Sequence, residues 1–156
     1  DIVPAVTGSV AARDLLTELG AVTILPRDAF SEADRKPLKK PLFDAAVDCV
    51  GGDTLANLLK VIRHSGAVSC CGLVQSPALN TTVMPFILRG VSLLGVDSVE
   101  SSLDSRREAW QWLSEHHNPD KLEKILREIS LEQAPAVLEA ILTGQVTGRT
   151  VVRVAS

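Results

Sequence analysis

No run of 18 or more apolar residues occurs in this chain of 156, and a bilayer-spanning helix needs about 20, so no membrane segment is expected. Basic residues are in the minority: 16 Lys and Arg stand against 19 Asp and Glu, a formal charge of −3. Nucleic-acid binders normally present a basic face, so nucleic acid is not expected as a partner. Cysteine is scarce. Cys49, Cys70 and Cys71 are odd in number and two of them are adjacent, which is no disulfide framework and fits a reducing, cytoplasmic compartment. They also lack the CxxC and histidine spacing that four converging zinc ligands need, so no metal is expected and the cysteines read as small apolar fillers at strand ends. The chain starts Asp1-Ile2-Val3-Pro4, with neither methionine nor a basic leader region. A signal peptide is therefore not expected, and the chain reads as a piece of a longer one.

The glycine pattern of a dinucleotide site is missing as well. Such a site opens with a strand, a GxGxxG turn and a helix N-terminus that holds the pyrophosphate. Here Gly8, Gly51-Gly52 and Gly72 stand apart from one another. No Ser/His/Asp set and no carboxylate pair is readable, so no residue is assigned as catalytic.

What is present is a core. Apolar residues make up 46% of the chain, enough for one domain or most of one. Short strands are expected at 2–7, 21–25, 44–50, 66–71, 91–96 and 149–154, with an extended link at 129–131. Helices are expected at 10–19 (ended by Gly20), 53–63 (Asp53 as N-cap), 101–114, 119–127 and 132–142, with Pro135 tolerated in the first turn. On the helix at 101–114, Trp110, Trp112 and Leu113 are expected to be partly buried. The stretch Val83-Met84-Pro85-Phe86 reads as extended, and residues 31–41, with Lys39-Lys40, as a solvated loop. Alternating strands and helices with nearly continuous apolar strands predict an α/β fold: a Rossmann-like, doubly wound parallel sheet covered on both faces.

In such a sheet, ligands sit beyond the carboxyl ends of the strands. The first strand ends in Thr7-Gly8-Ser9, without a carboxylate. An acidic side chain after the second strand of this fold class selects NAD. Neutral hydroxyls with a nearby Arg13 or Arg27 suit the extra phosphate of NADP instead. Thr7 and Ser9 serve equally well as helix caps. His116-His117 and His64 read as helix termini.

Leu25-Pro26-Arg27-Asp28, Asp48-Cys49-Val50-Gly51, Cys71-Gly72-Leu73, TTVMPFILRG at 81–90, GVDS at 95–98 and Gly148-Arg149-Thr150 together resemble one family from end to end. It is the zinc-free acrylyl-CoA reductase/quinone oxidoreductase branch (YhdH/YhfP type) of the medium-chain dehydrogenase/reductase superfamily. The resemblance implies the C-terminal half of such a protein, beginning at its second Rossmann strand, without the first strand, the Gly-rich turn and the GroES-like catalytic domain. It implies a truncated nucleotide-binding domain over 1–128 and a segment over 129–156 that returns toward the catalytic domain. Thr7, Ser9 and Arg27 are then expected near the ribose phosphate of NADP. Leu73 and Ile87 are expected on the nicotinamide side, Ser98 nearby, and Arg149-Thr150 at the cleft. Where relatives commonly carry Ser-Gly-Arg after the second strand, this chain has Thr7-Gly8-Ser9, which removes a phosphate-pairing guanidinium.

The implied activity is hydride transfer from NADPH to an enone, enoyl-CoA or quinone, with the fragment inactive alone and a homodimer formed through the Val91–Val96 edge strand. A non-catalytic dimerisation or interaction module derived from the same family is the alternative, and an unrelated α/β nucleotide-binding domain is a third reading. Loss of the first strand removes the middle of a 3-2-1-4-5-6 order. Pairing of its neighbours, a swap or an oligomer is expected to close the gap.

Overall fold

The computed structural model describes residues 3–9, 12–31 and 34–154. Two compact units divide the chain: one runs up to Leu25 and resumes at Arg107, and the other is Pro26–Arg106. The strands β1 (Pro4–Thr7) and β2 (Thr23–Pro26) pair with each other, on either side of helix α1 (Ala12–Leu19) in sequence. The short helix α2 (Asp28–Ser31) follows. Then β3 (Phe43–Asp48), α3 (Gly52–Leu59), β4 (Ile62–Cys70), α4 (Met84–Arg89) and β5 (Ser92–Gly95) build a three-stranded parallel sheet in the order β3-β4-β5. The remaining elements are α5 (Leu103–His116), α6 (Pro119–Ile125), β6 (Leu126–Ser130), a 3-10 turn (Leu131–Gln133), α7 (Ala134–Leu142) and β7 (Arg149–Arg153). β6 and β7 form a parallel pair of their own.

Among the described residues the strands thus pair as three sheets. The ladders β2-β1 and β3-β4-β5 are what remain when the middle strand is taken out of a 3-2-1-4-5-6 order. Among the described residues no ladder replaces it.

In the unit Pro26–Arg106, Leu55, Leu59, Ile62, Val68 and Val91 form the buried cluster, with Ala46, Phe86 and Leu93 packed against it. Ala46, Val68 and Leu93 are register partners and so share one face of the sheet. α3 and α4 cover that face through Leu55, Leu59 and Phe86. On the opposite face Val47 is 73% and Leu94 53% exposed.

Several elements differ from the sequence reading. The stretch expected to be extended at Val83–Phe86 is the start of α4, where Pro85 occupies the first turn. A proline costs nothing there, because its missing N–H would have no intrahelical partner. Gly90 closes the helix in the left-handed conformation, at φ 59°. α3 starts on Gly51 as N-cap rather than on Asp53. The Gln75 side chain, 21 residues further on, accepts from the Thr54 N–H at 3.1 Å, a cap no local pattern announces.

α3 also stops at Leu59 and β4 begins at Ile62, so His64 lies in a strand and not at a helix end. Between the pairs Phe43↔Ile62 and Ala45↔Ala67 the register slips, with Ser65 at φ 59°. Such a bulge takes up extra residues without moving the hydrophobic face of the strand. α6 ends at Ile125, and the expected link at 129–131 falls in β6 and the turn after it. α7 begins at Ala134, after a 3-10 turn held by a Ser130–Gln133 capping box. On α5, Trp110 (71%) and Trp112 (58%) are exposed, and so is Leu113, against the expected partial burial. Trp112 instead stacks on His116 at 4.4 Å between ring centroids. The two histidines do sit at the helix end, their Nδ1 atoms meeting the carbonyls of Trp112 and Leu113. Val10, expected in α1, lies outside the described residues. Residues 34–41 form no helix or strand, as expected of a loop, with Lys40 exposed. Lys39 is half-exposed and paired with Asp34 at 2.6 Å, while its N–H donates to the Lys60 carbonyl at 3.0 Å.

Candidate cofactor edge

Because β3, β4 and β5 are parallel, the loops that leave Asp48, Cys70 and Gly95 emerge along one edge. The first loop is folded by Asp48. This buried carboxylate accepts from the N–H groups of Val50 (3.2 Å) and Gly51 (2.8 Å) and so turns the chain back into α3. The second loop lies directly on the first. Cys71 N–H donates to the Asp48 carbonyl at 2.9 Å, Gln75 N–H donates to the Val50 carbonyl at 2.8 Å, and Gly51 bridges to Ser76. A Cβ on Gly72 would lie 2.3 Å from the Cys49 carbonyl oxygen, so only glycine permits this approach. With the backbones zipped together, Leu73 (64% exposed) and Val74 (88%) are turned to solvent, and Ile87 on α4 is 71% exposed.

The third loop is held from two sides. Asp97 Oδ1 accepts from the N–H groups of Val99 (2.9 Å) and Glu100 (3.0 Å). The Arg106 guanidinium donates to the carbonyls of Ser98 (3.2 Å), Val99 (2.7 Å) and Ser101 (3.0 Å). The two amide bonds, Glu100 first and Val99 second, hold the Asp97 carboxyl below its ordinary value of 3.8. A carboxyl lowered in the folded state contributes order that is present above its unfolded value and is lost as pH falls through its folded value. Exchange of the Val99 and Glu100 amides, after correction for intrinsic rates, is therefore expected to accelerate only below the ordinary carboxylate range. Asp97→Asn is expected to flatten that pH dependence in an NMR titration.

Of the residues singled out in the sequence, Arg27, Leu73, Ile87 and Ser98 lie in Pro26–Arg106, and Thr7, Ser9, Arg149 and Thr150 lie in the other unit. The structure brings Leu73 and Ser98 to the same sheet edge. Arg27 is exposed in the turn before α2, its carbonyl accepting from Phe30 and Ser31 N–H. Thr7 Oγ1 accepts from Ser9 N–H at 3.0 Å, a local turn at the end of β1, while α1 begins at Ala12. Arg149 and Thr150 open β7 opposite Leu126 and Arg127 of β6. The Thr150 hydroxyl is buried there without a partner among the described residues.

Sequence reasoning gave no role to Asp48 or Arg106. Asp48 had a signal, an acid closing an apolar strand before Gly-Gly, whereas the Arg106 contacts had none. Of the cysteines only Cys70 is an apolar filler, half-buried against the core, whereas Cys49 and Cys71 are exposed.

Comparison with known proteins supplies the family. A model described as "Zinc-binding dehydrogenase" matches residues 2–115, which is more than half of the chain. The chain is a member of the zinc-binding dehydrogenase family. Within it, the chain is 41% identical over 152 residues to the acrylyl-CoA reductase AcuI of Ruegeria pomeroyi, covering 97% of this chain and 46% of the relative. The crystal structure of Escherichia coli K-12 YhdH with bound NADPH matches with a TM-score of 0.93 at 43% identity, over 99% of this chain and 47% of that one. Bacillus subtilis YhfP, crystallised with NAD bound, matches with a TM-score of 0.92 at 42% identity, over 98% and 47%. The chain spans about half the length of these relatives. The family's description names zinc, but among the described residues no three His, Cys, Asp or Glu side chains converge. The described residues therefore offer no three-ligand set for that metal. Among them too, no helix is long and apolar enough to cross a membrane.

Proposed function

We propose that this chain is the cofactor-binding half of an NADPH-dependent oxidoreductase that delivers hydride to an enone, enoyl-CoA or quinone. The observation that carries the reading is the match, at 43% identity and a TM-score of 0.93, to a structure holding NADPH. The carboxyl edge of β3-β4-β5 fits the nicotinamide end, with Leu73 and Ile87 as its apolar rim and Ser98 beside it. Thr7, Ser9 and Arg27 are proposed for the ribose phosphate, and Arg149 and Thr150 for the cleft. Lack of a carboxylate in Thr7-Gly8-Ser9 favours NADP over NAD, since a carboxylate would repel the extra phosphate. When bound, the nicotinamide supplies the hydride, and these residues bind it, orient it and exclude water.

On this reading 1–128 is the nucleotide-binding part and 129–156 returns toward a GroES-like catalytic domain outside this chain. The protein works in the cytoplasm as a homodimer, paired through the Val91–Val96 strand. Support for the pairing is that β5 ends its sheet and leaves a backbone edge open.

The test is intact mass of the protein as isolated, with NADPH and NADH titrated by fluorescence. A polypeptide about twice this length, as the coverage of relatives implies, that binds NADPH more tightly than NADH is expected. The 156-residue chain by itself is expected to bind poorly and to turn over nothing. A native polypeptide of this length that binds neither nucleotide would overturn the reading in favour of an interaction module derived from the family.

A further inference from the structure

Asp48 and Cys70 are the last register partners of β3 and β4. One residue further along each strand stand Cys49 and Cys71, both exposed. Their backbones touch: Cys71 N–H donates to the Asp48 carbonyl at 2.9 Å, and a Cβ on Gly72 would meet the Cys49 Cα at 3.0 Å. Cys71 Sγ lies 3.4 Å from the Asp48 carbonyl oxygen, which immediately precedes Cys49, so the two cysteines stand at neighbouring strand mouths. Cys70 points elsewhere, its Sγ 3.9 Å from the Asp48 carboxylate and 4.0 Å from the Gly72 carbonyl. Successive residues of a strand face opposite sides, so the adjacent pair Cys70-Cys71 is the wrong pair and the cross-strand pair the right one.

We propose that Cys49 and Cys71 are a reversible dithiol/disulfide site spanning the mouths of β3 and β4, with hydroperoxides as the oxidant class. It does not rest on the reductase reading. Desolvation of its thiol, followed by the neighbouring Cys71, pushes Cys49 above its ordinary value of 9.0. Cys49 is thereby the poorer first nucleophile, so the first attack on the oxidant falls to Cys71. The Cys71 thiolate displaces water or alcohol from the peroxide O–O bond and becomes a sulfenic acid. Cys49 sulfur then attacks that sulfur, the S–O bond breaks, and water leaves. Two thiols lose two protons and two electrons, and one peroxide is reduced to water and an alcohol or to two waters. A thiol reductant reverses the step. The bond ties Leu73 and the loop it opens to the end of β3, and the loops are already in backbone contact, so closure asks for little movement.

The native protein would be treated with hydrogen peroxide, alkylated without denaturant, and analysed by intact mass and fragment mapping under non-reducing conditions. A monomeric species that has lost two hydrogens, with Cys49 linked to Cys71, Cys70 still open to alkylation after unfolding, and full recovery in dithiothreitol is expected. The same link is expected in Cys70→Ser and is expected to vanish in Cys49→Ser and Cys71→Ser. A link that persists in Cys49→Ser, a link only between chains, or oxygen added to single cysteines without loss of hydrogens would overturn the proposal.

Discussion

Arg89→Ala is expected to destabilise the unit Pro26–Arg106 by about 3 kcal/mol, the sum of charge-assisted hydrogen bonds discounted for a half-exposed side chain. From the end of α4 the guanidinium reaches three backbone carbonyls: Lys60 at 2.9 Å, Ile62 at 3.2 Å, and Lys39. These carbonyls belong to the loop before β3, to the turn after α3 and to the first residue of β4, so one side chain joins three segments. The same node holds buried Lys60, whose Nζ donates to the Asp34 carbonyl and to Asn57 Oδ1 (2.9 Å). Asn57 Nδ2 donates in turn to the Phe30 carbonyl at 2.7 Å. Removing Arg89 takes a charged donor from three carbonyls beside a buried cation, and the Lys60 carbonyl keeps the Lys39 N–H. Arg89→Lys is expected to recover only a minor part, because an ammonium cannot reproduce the planar fork. The readout is urea unfolding: a lower midpoint at unchanged m-value, with a melting temperature roughly 10 °C lower for a chain of this size.

Gly72→Ala is the second large effect, and it links stability to the proposed cofactor edge. The added methyl would sit 2.3 Å from the Cys49 carbonyl oxygen and 2.8 Å from its carbon. Both are backbone atoms, so no rotamer change relieves the clash and the two loops must part. Overpacking of this kind costs about 1–3 kcal/mol. Parting the loops also breaks the floor under Leu73, so NADPH affinity of the full polypeptide is expected to fall by more than tenfold, about 1.4 kcal/mol. Gly95→Ala is the control, since a Cβ there has nothing within 4 Å, and its stability is expected to stay within about 0.5 kcal/mol of the parent. Equal losses in the two variants would mean that loss of glycine itself, and not the contact between the loops, sets the cost.

Elements whose signals are local were legible in the sequence. α1 ends at Leu19, just before Gly20, the strands β2, β3 and β7 lie within about two residues of expectation, and Pro135 sits in the first turn of α7. Elements set by distant partners were not. α3 takes its cap from Gln75, and β4 starts early because Ile62 is drawn into the core beside Leu59 and Val68, with the surplus residues absorbed at Ser65. Pro85 misled the reading of α4, because a proline permits extended backbone and a helix first turn equally, and Phe86 packing into the core settles which is adopted.

The sequence by itself determined the α/β class and the family, because alternation of apolar strands and helices and runs such as TTVMPFILRG are properties of neighbouring residues. It also determined that the turn after β1 carries no acid. Tertiary structure alone decided which residues meet. Parallel register places Asp48, Cys70 and Gly95 side by side, and with them the loops of the proposed cofactor edge. The fold set Arg89 against three carbonyls and made Cys49 and Cys71 exposed neighbours, which nothing in their spacing announces. The reason is physical: strand pairing and side-chain hydrogen bonds join residues tens of positions apart, and their energies depend on distances that only the folded backbone sets.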